Sequence, residues 1–444
     1  MKRLAFLFSL LLTACVQVPY RPLENIDHIN TTYGYRLHNI LDPDKQKDDT
    51  FLIVLFSGGG SRAAAFGYGV LETLAQTTIT SHNTSQNLLE KIDLVHGVSG
   101  GSILATYLAL HGKETVPRFE QEFLQKNLQS NILQRLFSLT NLPRQTGDEF
   151  GRGDLLAEEL DRLIYHGATF ATLTAQRKGP FAVISATDMS LGQRIEFTQE
   201  FFDALCLNLS KLPISRAVAA SSAVPLVFSP ITLNNNAGHC QYHPPKNIVH
   251  DKSLLNRFIA PYQDSNTRPY IHLLDGGLTD NLGLRSLLDL ADAYSGENIA
   301  RPTTHGNIRD LVIISVNAQN KKDSNIDQSP EIPGFSDVVN AIISIPIGRN
   351  TQESVRQFQH FTDKWNEQSH GEKATLHFID LNLNDLPDSA LKTRVLNIGT
   401  TFYLPQSDIN DLRKSAKILL EQNDVYRDWL KQRYYQHTSP AAAP

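Results

Sequence analysis

The chain has 444 residues, of which 41% are hydrophobic and 20% are charged, and its formal net charge is −5. This composition is typical of a globular protein, and the length allows one large domain with an extension or two to three smaller domains. The negative charge and the absence of a long basic run argue against a nucleic-acid partner.

The N-terminus has the pattern of a secretory signal peptide, because two basic residues precede an apolar run over 4–12 that is too short to span a bilayer. The residues Leu-Thr-Ala then precede Cys15, a pattern that resembles a bacterial lipobox. We expect residues 1–14 to be a lipoprotein signal peptide and Cys15 to be lipidated, with a plain signal peptide and an incidental cysteine as the alternative. Several acyl chains would anchor the protein to a membrane. Because no aspartate follows the cysteine, we expect the outer membrane, facing the periplasm.

Residues 15–49 are polar and irregular, and we expect them to form a tether between the lipid and the folded domain. Two cysteines remain beyond the signal peptide, Cys206 and Cys240. A periplasmic location permits a disulfide between them, but their spacing fits two buried free thiols equally well.

Buried strands and helices alternate from residue 50 onwards. The apolar run Phe51–Phe56 predicts a strand that is covered on both faces, followed by a glycine-rich turn and a helix. A second unit of the same kind follows over residues 92–108. Two such units in succession predict an α/β fold with a parallel sheet and right-handed crossovers.

Further elements are expected along the rest of the chain. The predicted strands lie at 181–187, 194–197, 270–274, 311–316 and near 376–381, and the predicted helices at 115–170, 213–220, near 335–366 and near 406–435. The composition becomes more polar after about residue 320. We therefore expect a catalytic domain over 50–320 and a mixed helix and strand extension over 321–444 that packs on it.

Three features follow predicted strands at the carboxyl edge of the sheet, where open α/β folds bind ligands. The glycines Gly58, Gly59 and Gly60 precede a helix and can form an oxyanion hole, with Arg62 placed to support the loop or to add positive potential. The second feature is Ser99, which lies in a G-x-S-x-G pattern typical of a nucleophile elbow. The third is Asp275, which is held in a glycine turn. Acyl transfer needs such a nucleophile, base and anion hole together.

Each of these features also has a structural interpretation, a tight turn for the glycines and a capping role for the aspartate. The first glycine turn matches the dinucleotide pattern G-x-G-x-x-A as well, but no acidic residue follows where a ribose site needs it. A Ser–His–Asp esterase stays open, and the histidines that follow the acid in the required order include His305, His360, His370 and His377. No spaced Cys, His and carboxylate cluster suggests a metal site, and we expect no cofactor.

The ordered set of motifs resembles the patatin-like phospholipase family. The matching stretches are, in order, Gly58–Arg62, Gly97–Gly101, Ala220–Pro225 and Asp275–Gly277, and the resemblance covers roughly residues 50–320. It implies a three-layer α/β/α fold with a mainly parallel central sheet. It also implies a serine–aspartate dyad, in which Ser99 matches the nucleophile and Asp275 the base, and the glycine loop matches the oxyanion hole.

The function that the resemblance implies is a serine acyl hydrolase of the phospholipase A or lysophospholipase type. It would cleave a phospholipid or related acyl ester through a covalent acyl-enzyme, with an aspartate base whose pKa depends on partial burial. The resemblance accounts for Ser221-Ser222, which we expect to be structural. Ala63 stands where many members have a further glycine, and we expect it to tune the hole. The alternative of a different class is a non-catalytic envelope lipoprotein that uses the fold as a binding or scaffolding module.

Overall fold

The computed structural model describes residues 18–37, 49–81, 84–243, 259–293, 308–319, 325–368 and 374–436. The predicted signal peptide over 1–14 and the predicted lipidation site Cys15 lie outside these residues, as do His305 and His370. Residues 18–37 belong to the predicted tether, yet they lie against the folded domain. Tyr35 among them is buried and its hydroxyl donates to the carbonyl of Ala182 at 3.0 Å, so this part of the tether is not free.

The strands of the described chain are β1 Thr50–Phe56, β2 Thr78–Ser81, β3 Thr84–Asn87, β4 Ile92–Gly97, β5 Phe181–Asp188, β6 Arg194–Glu196, β7 Ile231–Asn234, β8 Tyr270–Leu274, β9 Asp310–Asn317 and β10 Thr375–Asn382. Eight of them form one sheet in the order β10-β9-β1-β4-β5-β8-β7, with β6 paired to β5, and β2 and β3 form a separate hairpin. The five strands from β10 to β5 are parallel, so their carboxyl ends meet at one edge of the sheet. Strands β1 and β5 are mainly apolar and are buried at every residue, as expected for a parallel sheet that is covered on both faces.

The helices are α1 Gly60–Gln76, α2 Leu88–Lys91, α3 Gly100–His111, α4 Thr115–Phe119, α5 Leu128–Leu136, α6 Arg152–Leu160, α7 Phe170–Gln176, α8 Gln199–Ala204, α9 Ile214–Ser221, α10 Gly277–Asp280, α11 Leu284–Ala293, α12 Phe335–Gln368, α13 Ala390–Asn397, α14 Gln406–Gln422 and α15 Asp424–Gln436. Short 3₁₀ segments and two π-helical turns join several of them. The region predicted as helical over 115–170 is thus a series of short helices. Among the described residues, no helix is both long and apolar enough to cross a membrane.

Helices cover both faces of the sheet and give three layers. Consecutive residues of a strand point to opposite faces, and β10 shows both contacts. Its His377 ring lies beside Trp429 of α15, whereas Phe378 packs on Phe358 of α12 with ring centroids 4.8 Å apart. The fold is therefore the three-layer α/β/α arrangement with a mainly parallel sheet that the resemblance implied.

One strand runs against the simple parallel pattern. β8, which leads into Asp275, is antiparallel to β5, and the two strands pair only through Leu274 opposite Thr187 and Leu273 opposite Asp188. The sequence analysis predicted a strand before Asp275 but not its direction. The turn after β8 nevertheless lies at the carboxyl edge, because β8 overlaps only the last two residues of β5.

Residues beyond 320 complete the same sheet. Strand β10 pairs in parallel with β9 along its whole length, and α14 packs along α1. At the amino edge of the sheet, the guanidinium of Arg433 in α15 contacts the carboxylate of Asp49 at 2.6 Å and also that of Asp310 in β9. Of the two alternatives for the cysteine pair, the structure has the disulfide between Cys206 and Cys240.

Candidate active site

Ser99 occupies the sharp turn between β4 and α3. Its backbone has φ 51° and ψ −123°, in a region that residues with a side chain rarely adopt. The glycines around it allow the strand and helix to approach closely, since a Cβ atom at Gly97, the last residue of β4, would lie 2.6 Å from the carbonyl oxygen of Gly101 in α3. The residue is 5% exposed. This is the strained strand–turn–helix geometry of a nucleophile elbow.

The Ser99 hydroxyl is close enough to the carboxylate of Asp275 to favour its charged form and so to lower its pKa. Asp275 Oδ1 accepts the N–H of Gly277 at 2.8 Å, which fixes the orientation of the side chain. The backbone of the same residue is held as well, because its N–H donates to the carbonyl of Ala223 at 3.0 Å and its carbonyl accepts the Thr187 hydroxyl at 2.8 Å. A serine and an aspartate that are distant in sequence are thus brought together.

Burial controls the acidity of Asp275. The residue is 6% exposed. Burial disfavours the charged form and raises the pKa of Asp275 to about 6, and the hydrogen bond from Gly277 and the nearby Ser99 hydroxyl offset only part of this effect. A carboxylate with a raised pKa is a better proton acceptor than an exposed aspartate, so the side chain has the property that a general base needs.

Ser221 links the two turns. Its hydroxyl oxygen accepts the N–H of Ser99 at 2.9 Å, and its carbonyl oxygen accepts the N–H of Gly276 at 3.1 Å. The sequence analysis expected a structural role for this residue and did not connect it to the nucleophile. The signal was present in the stretch Ala220–Pro225, but its partner lies 122 residues away in the chain.

The glycine loop after β1 lies directly beside the elbow. The N–H of Gly58 donates to the carbonyl oxygen of Asn281 at 3.2 Å and to its Oδ1 at 3.1 Å. Gly58 therefore does not present a free N–H, contrary to the role predicted for it in an oxyanion hole. A Cβ atom there would lie 2.6 Å from Asn281 Oδ1 and 3.4 Å from Ser99 Cβ, so the glycine provides space between the loop and the nucleophile.

Three other backbone N–H groups are candidates for an oxyanion hole. Gly59 and Gly60 have φ values of 138° and 60°, a conformation that favours glycine. Within the part of the chain that the structure describes, the N–H groups of Gly59, Gly60 and Gly100 have no hydrogen-bond acceptor. Gly100 directly follows Ser99, and a Cβ atom there would lie 2.0 Å from the carbonyl oxygen of Gly60, so these donors are close together. The sequence analysis did not assign Gly100 to the oxyanion hole.

The contacts of Arg62 fit the predicted role of loop support. Its Nε donates to the carbonyl of Ala318 at 2.9 Å and its Nη1 to the carbonyl of Ile398 at 2.7 Å. The side chain is buried, and burial lowers the pKa of Arg62 to about 10. It thereby ties the first turn of α1 to the segments that follow β9 and α13.

The two described histidines of the esterase alternative, His360 and His377, are not hydrogen-bonded to Ser99 or Asp275. His377 in β10 is hydrogen-bonded to Asp310 at 2.9 Å, and His360 belongs to the middle of α12. His96 in β4 is buried next to Gly283, and its two ring nitrogens have no partner among the described residues. Within that same part of the chain, no histidine is hydrogen-bonded to Ser99 or Asp275. No group of three or more described His, Cys, Asp or Glu residues is placed to hold a metal ion.

Comparison with known proteins agrees with this geometry. A family model described as patatin-like phospholipase matches residues 54–288, which is more than half of the chain. The chain belongs to the patatin-like phospholipase family. The matched region of this patatin-like protein contains the elbow, the glycine loop and the Asp275 turn. No curated protein matches the chain as a whole-sequence relative.

Solved structures with a similar fold include three of human GIVD cytosolic phospholipase A2. The first has 11% identity and a TM-score of 0.49, and the match covers 90% of this chain and 64% of that chain. The second, in complex with methyl gamma-linolenyl fluorophosphonate, has 12% identity, a TM-score of 0.43 and coverages of 87% and 60%. The third, with that inhibitor and terbium chloride, has 11% identity, a TM-score of 0.45 and coverages of 94% and 66%. The patatin-like protein thus spans less than two thirds of the length of these chains.

Proposed function

We propose that this patatin-like protein is a serine acyl hydrolase of the phospholipase A or lysophospholipase type that uses Ser99 and Asp275 as a dyad. The observation that carries the proposal is that the hydroxyl of Ser99, in its strained turn, lies close enough to the buried Asp275 carboxylate to favour its charged form. The strained turn at Ser99 and the neighbouring N–H groups without acceptors support it. The substrate class is a phospholipid or a related acyl ester.

The reaction begins when Ser99 Oγ attacks the acyl carbonyl and Asp275 accepts the hydroxyl proton. The carbonyl oxygen becomes an oxyanion, which the N–H groups of Gly59, Gly60 and Gly100 stabilise at the positive end of α3 and α1. The tetrahedral intermediate then collapses, the C–O bond to the leaving alcohol breaks, and Asp275 returns the proton to that alcohol. Water then attacks the carbonyl of the acyl-enzyme while Asp275 accepts its proton. The bond to Ser99 Oγ breaks, the fatty acid leaves, and Asp275 returns the proton to Ser99.

The proposal includes a location at a membrane. Cys15 would carry the lipid anchor that keeps the protein at the bacterial outer membrane, facing the periplasm. Substitution Cys15→Ser tests this part by itself, since the anchor hypothesis predicts loss from the membrane fraction. Membrane retention equal to that of the unaltered protein would contradict it.

The direct test of the function is hydrolysis of phosphatidylcholine by the full chain, measured as the rate at which fatty acid is released. We expect Ser99→Ala to lower the rate by about four orders of magnitude, because loss of a nucleophile removes the covalent route. Ser407→Ala, at an exposed serine near the start of α14, is the control and should retain full activity. Equal activity of the Ser99→Ala and unaltered proteins would remove Ser99 from the mechanism. No hydrolysis by a folded, unaltered protein would favour the scaffold alternative.

A further inference from the structure

Helix α12 is longer than the sheet that it covers. Its 34 residues run antiparallel to β10, with Trp365 Nε1 bonded to the carbonyl of Ala374 just before that strand at 2.8 Å. Its buried residues all lie from the middle of the helix onwards: Thr351, Ser354, Phe358, Thr362 and Trp365. The N-terminal part of α12 therefore has no buried residue among those described.

The helix passes the carboxyl edge of the sheet near Gly348. A Cβ atom at Gly348 would lie 2.6 Å from Gln319 Nε2, and Gln319 is the second residue after β9. The 13 residues from Phe335 to Ile347, which we call the overhang, thus extend beyond this edge by about 20 Å at 1.5 Å per residue. The Ser99 and Asp275 turns lie at this same edge of the sheet, and Pro346 lies inside the helix within the overhang.

The overhang presents an apolar stripe to solvent. Phe335, Val338, Ile342 and Ile345 are 83%, 47%, 67% and 56% exposed, and their spacing of three, four and three residues places them on one side of the helix. Asp337 is the single charged residue of the overhang. A run of large apolar side chains with this exposure is unusual on a soluble surface and marks a site of interaction.

Helix α12, whose N-terminal part is the overhang, packs next to the proposed active site. Helix α10 begins two residues after Asp275 and packs against α12. Other exposed apolar residues lie at the same edge of the sheet. Leu226 and Val227 are 64% and 53% exposed and follow within four residues of Ala223, whose carbonyl accepts the N–H of Asp275. Tyr403 is exposed and follows Thr401, whose carbonyl accepts the N–H of Ser61 beside the glycine loop.

We infer that the overhang, together with Leu226, Val227 and Tyr403, is a docking surface for a phospholipid bilayer. The inference rests on the proposed function. The apolar stripe lies among the acyl chains at the interface, and the helix lies along the membrane surface rather than across it. These residues adjoin the segments that hold the Ser99 and Asp275 turns, so a bilayer on this surface presents acyl esters next to the nucleophile, whereas a second copy of the chain does not. For that reason the bilayer fits this surface better than a protein partner.

A fluorescent label in the overhang tests the inference without any hydrolysis. The full chain carries Cys15→Ser and Ser99→Ala, and a single free thiol is introduced by Ile342→Cys and labelled with an environment-sensitive nitrobenzoxadiazole dye. The control carries the label through Val425→Cys, an exposed position in α15 next to Tyr426, whose hydroxyl bonds to Thr77 after the end of α1. On addition of phosphatidylcholine vesicles, the label at 342 should shift to shorter wavelength and be quenched by brominated acyl chains, and the label at 425 should not.

An equal response at the two positions, or no response at 342, would overturn the inference. A label at 342 that is already blue-shifted before vesicles are added, in a protein whose measured mass doubles as its concentration rises, would also overturn it. That result indicates that a second copy of the chain covers the overhang. Because this protein lacks the Ser99 hydroxyl, the outcome is independent of the hydrolysis test.

A kinetic comparison adds a functional readout. With the Ser99 hydroxyl intact, Ile342→Asp should lower the ratio of vesicle hydrolysis to hydrolysis of a soluble short-chain ester at least about tenfold, because a charge replaces a buried apolar side chain at the interface. Val425→Asp is the matched control and should leave the ratio unchanged. An unchanged ratio in Ile342→Asp would contradict the inference.

Discussion

The hydroxyl and the N–H of Ser99 have different partners, and both partners belong to turns at the same edge of the sheet. The hydroxyl lies close enough to the Asp275 carboxylate to favour its charged form, and the N–H donates to Ser221 Oγ at 2.9 Å. Ser221 also accepts the N–H of Gly276, so one residue holds the backbone of both turns. The separation between nucleophile and base is therefore set by α9 as well as by their own loops.

Ser221→Ala should lower kcat for a soluble ester by about tenfold to a hundredfold with little change in KM. The substitution leaves the buried N–H of Ser99 without its acceptor, at a cost of about 1 to 3 kcal/mol in the geometry of the turn. Ser222→Ala is the matched control, because Ser222 Oγ is buried and has no hydrogen-bond partner among the described residues. Equal kcat values for the two variants would show that Ser221 does not position the nucleophile.

The rate should depend on pH through Asp275. A general base must be deprotonated, and burial raises the pKa of Asp275 to about 6. We therefore expect kcat/KM for a soluble ester to rise about tenfold per pH unit below that value and to level off above it. A profile that stays flat from about pH 4.5 to pH 8 would contradict the assignment of this base.

The same raised pKa has an effect on stability. The folded state binds the Asp275 proton more tightly than the unfolded state does, so stability falls as pH rises from about 4 to about 6. Asp275→Asn should abolish turnover and raise the free energy of unfolding by about 1 to 3 kcal/mol at neutral pH, with little effect near pH 4. Thermal unfolding at the two pH values measures this difference, and a variant that is destabilised at neutral pH would argue against a buried charge.

At this scale the sequence predicts the residues whose context is local. Ser99 and Asp275 could be identified because each lies in a short glycine turn after an apolar run. The role of Ser221 and the hydrogen bonds from Gly58 to Asn281 could not, because their partners are 122 and 223 residues away. Nothing in the local pattern distinguishes a glycine with a bonded N–H from one with a free N–H.

Among the elements, α1 holds the carboxyl edge together through Arg62. The guanidinium reaches the carbonyls of Ala318 and Ile398 in two different segments, at 2.9 and 2.7 Å. The planar, forked shape of the group is what allows both bonds at once. The glycine loop is the turn that leads into this helix, so its conformation depends on the same contacts.

Arg62→Lys should lower both thermal stability and kcat, because one ammonium group cannot replace the fork. We expect a loss of about 1 to 3 kcal/mol in unfolding free energy for the buried carbonyl left without its donor. Arg356→Lys, at an exposed position in α12, is the control and should behave as the unaltered protein does. If Arg62→Lys matches that control in both measurements, Arg62 does not support the loop.

Most strands and the long helices could be predicted from the sequence, since continuous apolar runs and helical spacing are local signals. The helix predicted near 335–366 corresponds to α12, and the one near 406–435 to α14 and α15, which are separated at Asn423. The direction of β8 could not be predicted, because it depends on pairing with β5 more than 80 residues earlier. The family resemblance implied the three layers, and the helices that pack on both faces of the sheet show them.

For the whole molecule, the C-terminal region belongs to the same fold that carries the candidate active site. Strand β10 extends the sheet beside β9, and Arg433 in the last helix closes the amino edge through Asp49, Thr50 and Asp310. The family model ends at residue 288, so these elements lie beyond the region that it matches.

Arg433→Met should destabilise the whole molecule without changing the active-site geometry. It removes a cation from two buried or half-buried carboxylates, at an expected cost of about 3 to 5 kcal/mol. At a temperature where the variant is still folded, its kcat should equal that of the unaltered protein, because the substitution lies at the opposite edge of the sheet. Unaltered stability would show that the C-terminal helix is not an integral part of the fold.

The central claim is that Ser99 is a nucleophile activated by Asp275. Reaction of the full chain with a fluorophosphonate probe, followed by peptide mass mapping, tests it most directly. The account predicts one adduct, on the peptide that contains Ser99, with no adduct in Ser99→Ala and much slower labelling in Asp275→Asn. An adduct on another serine, or equal labelling of the unaltered and Ser99→Ala proteins, would contradict it.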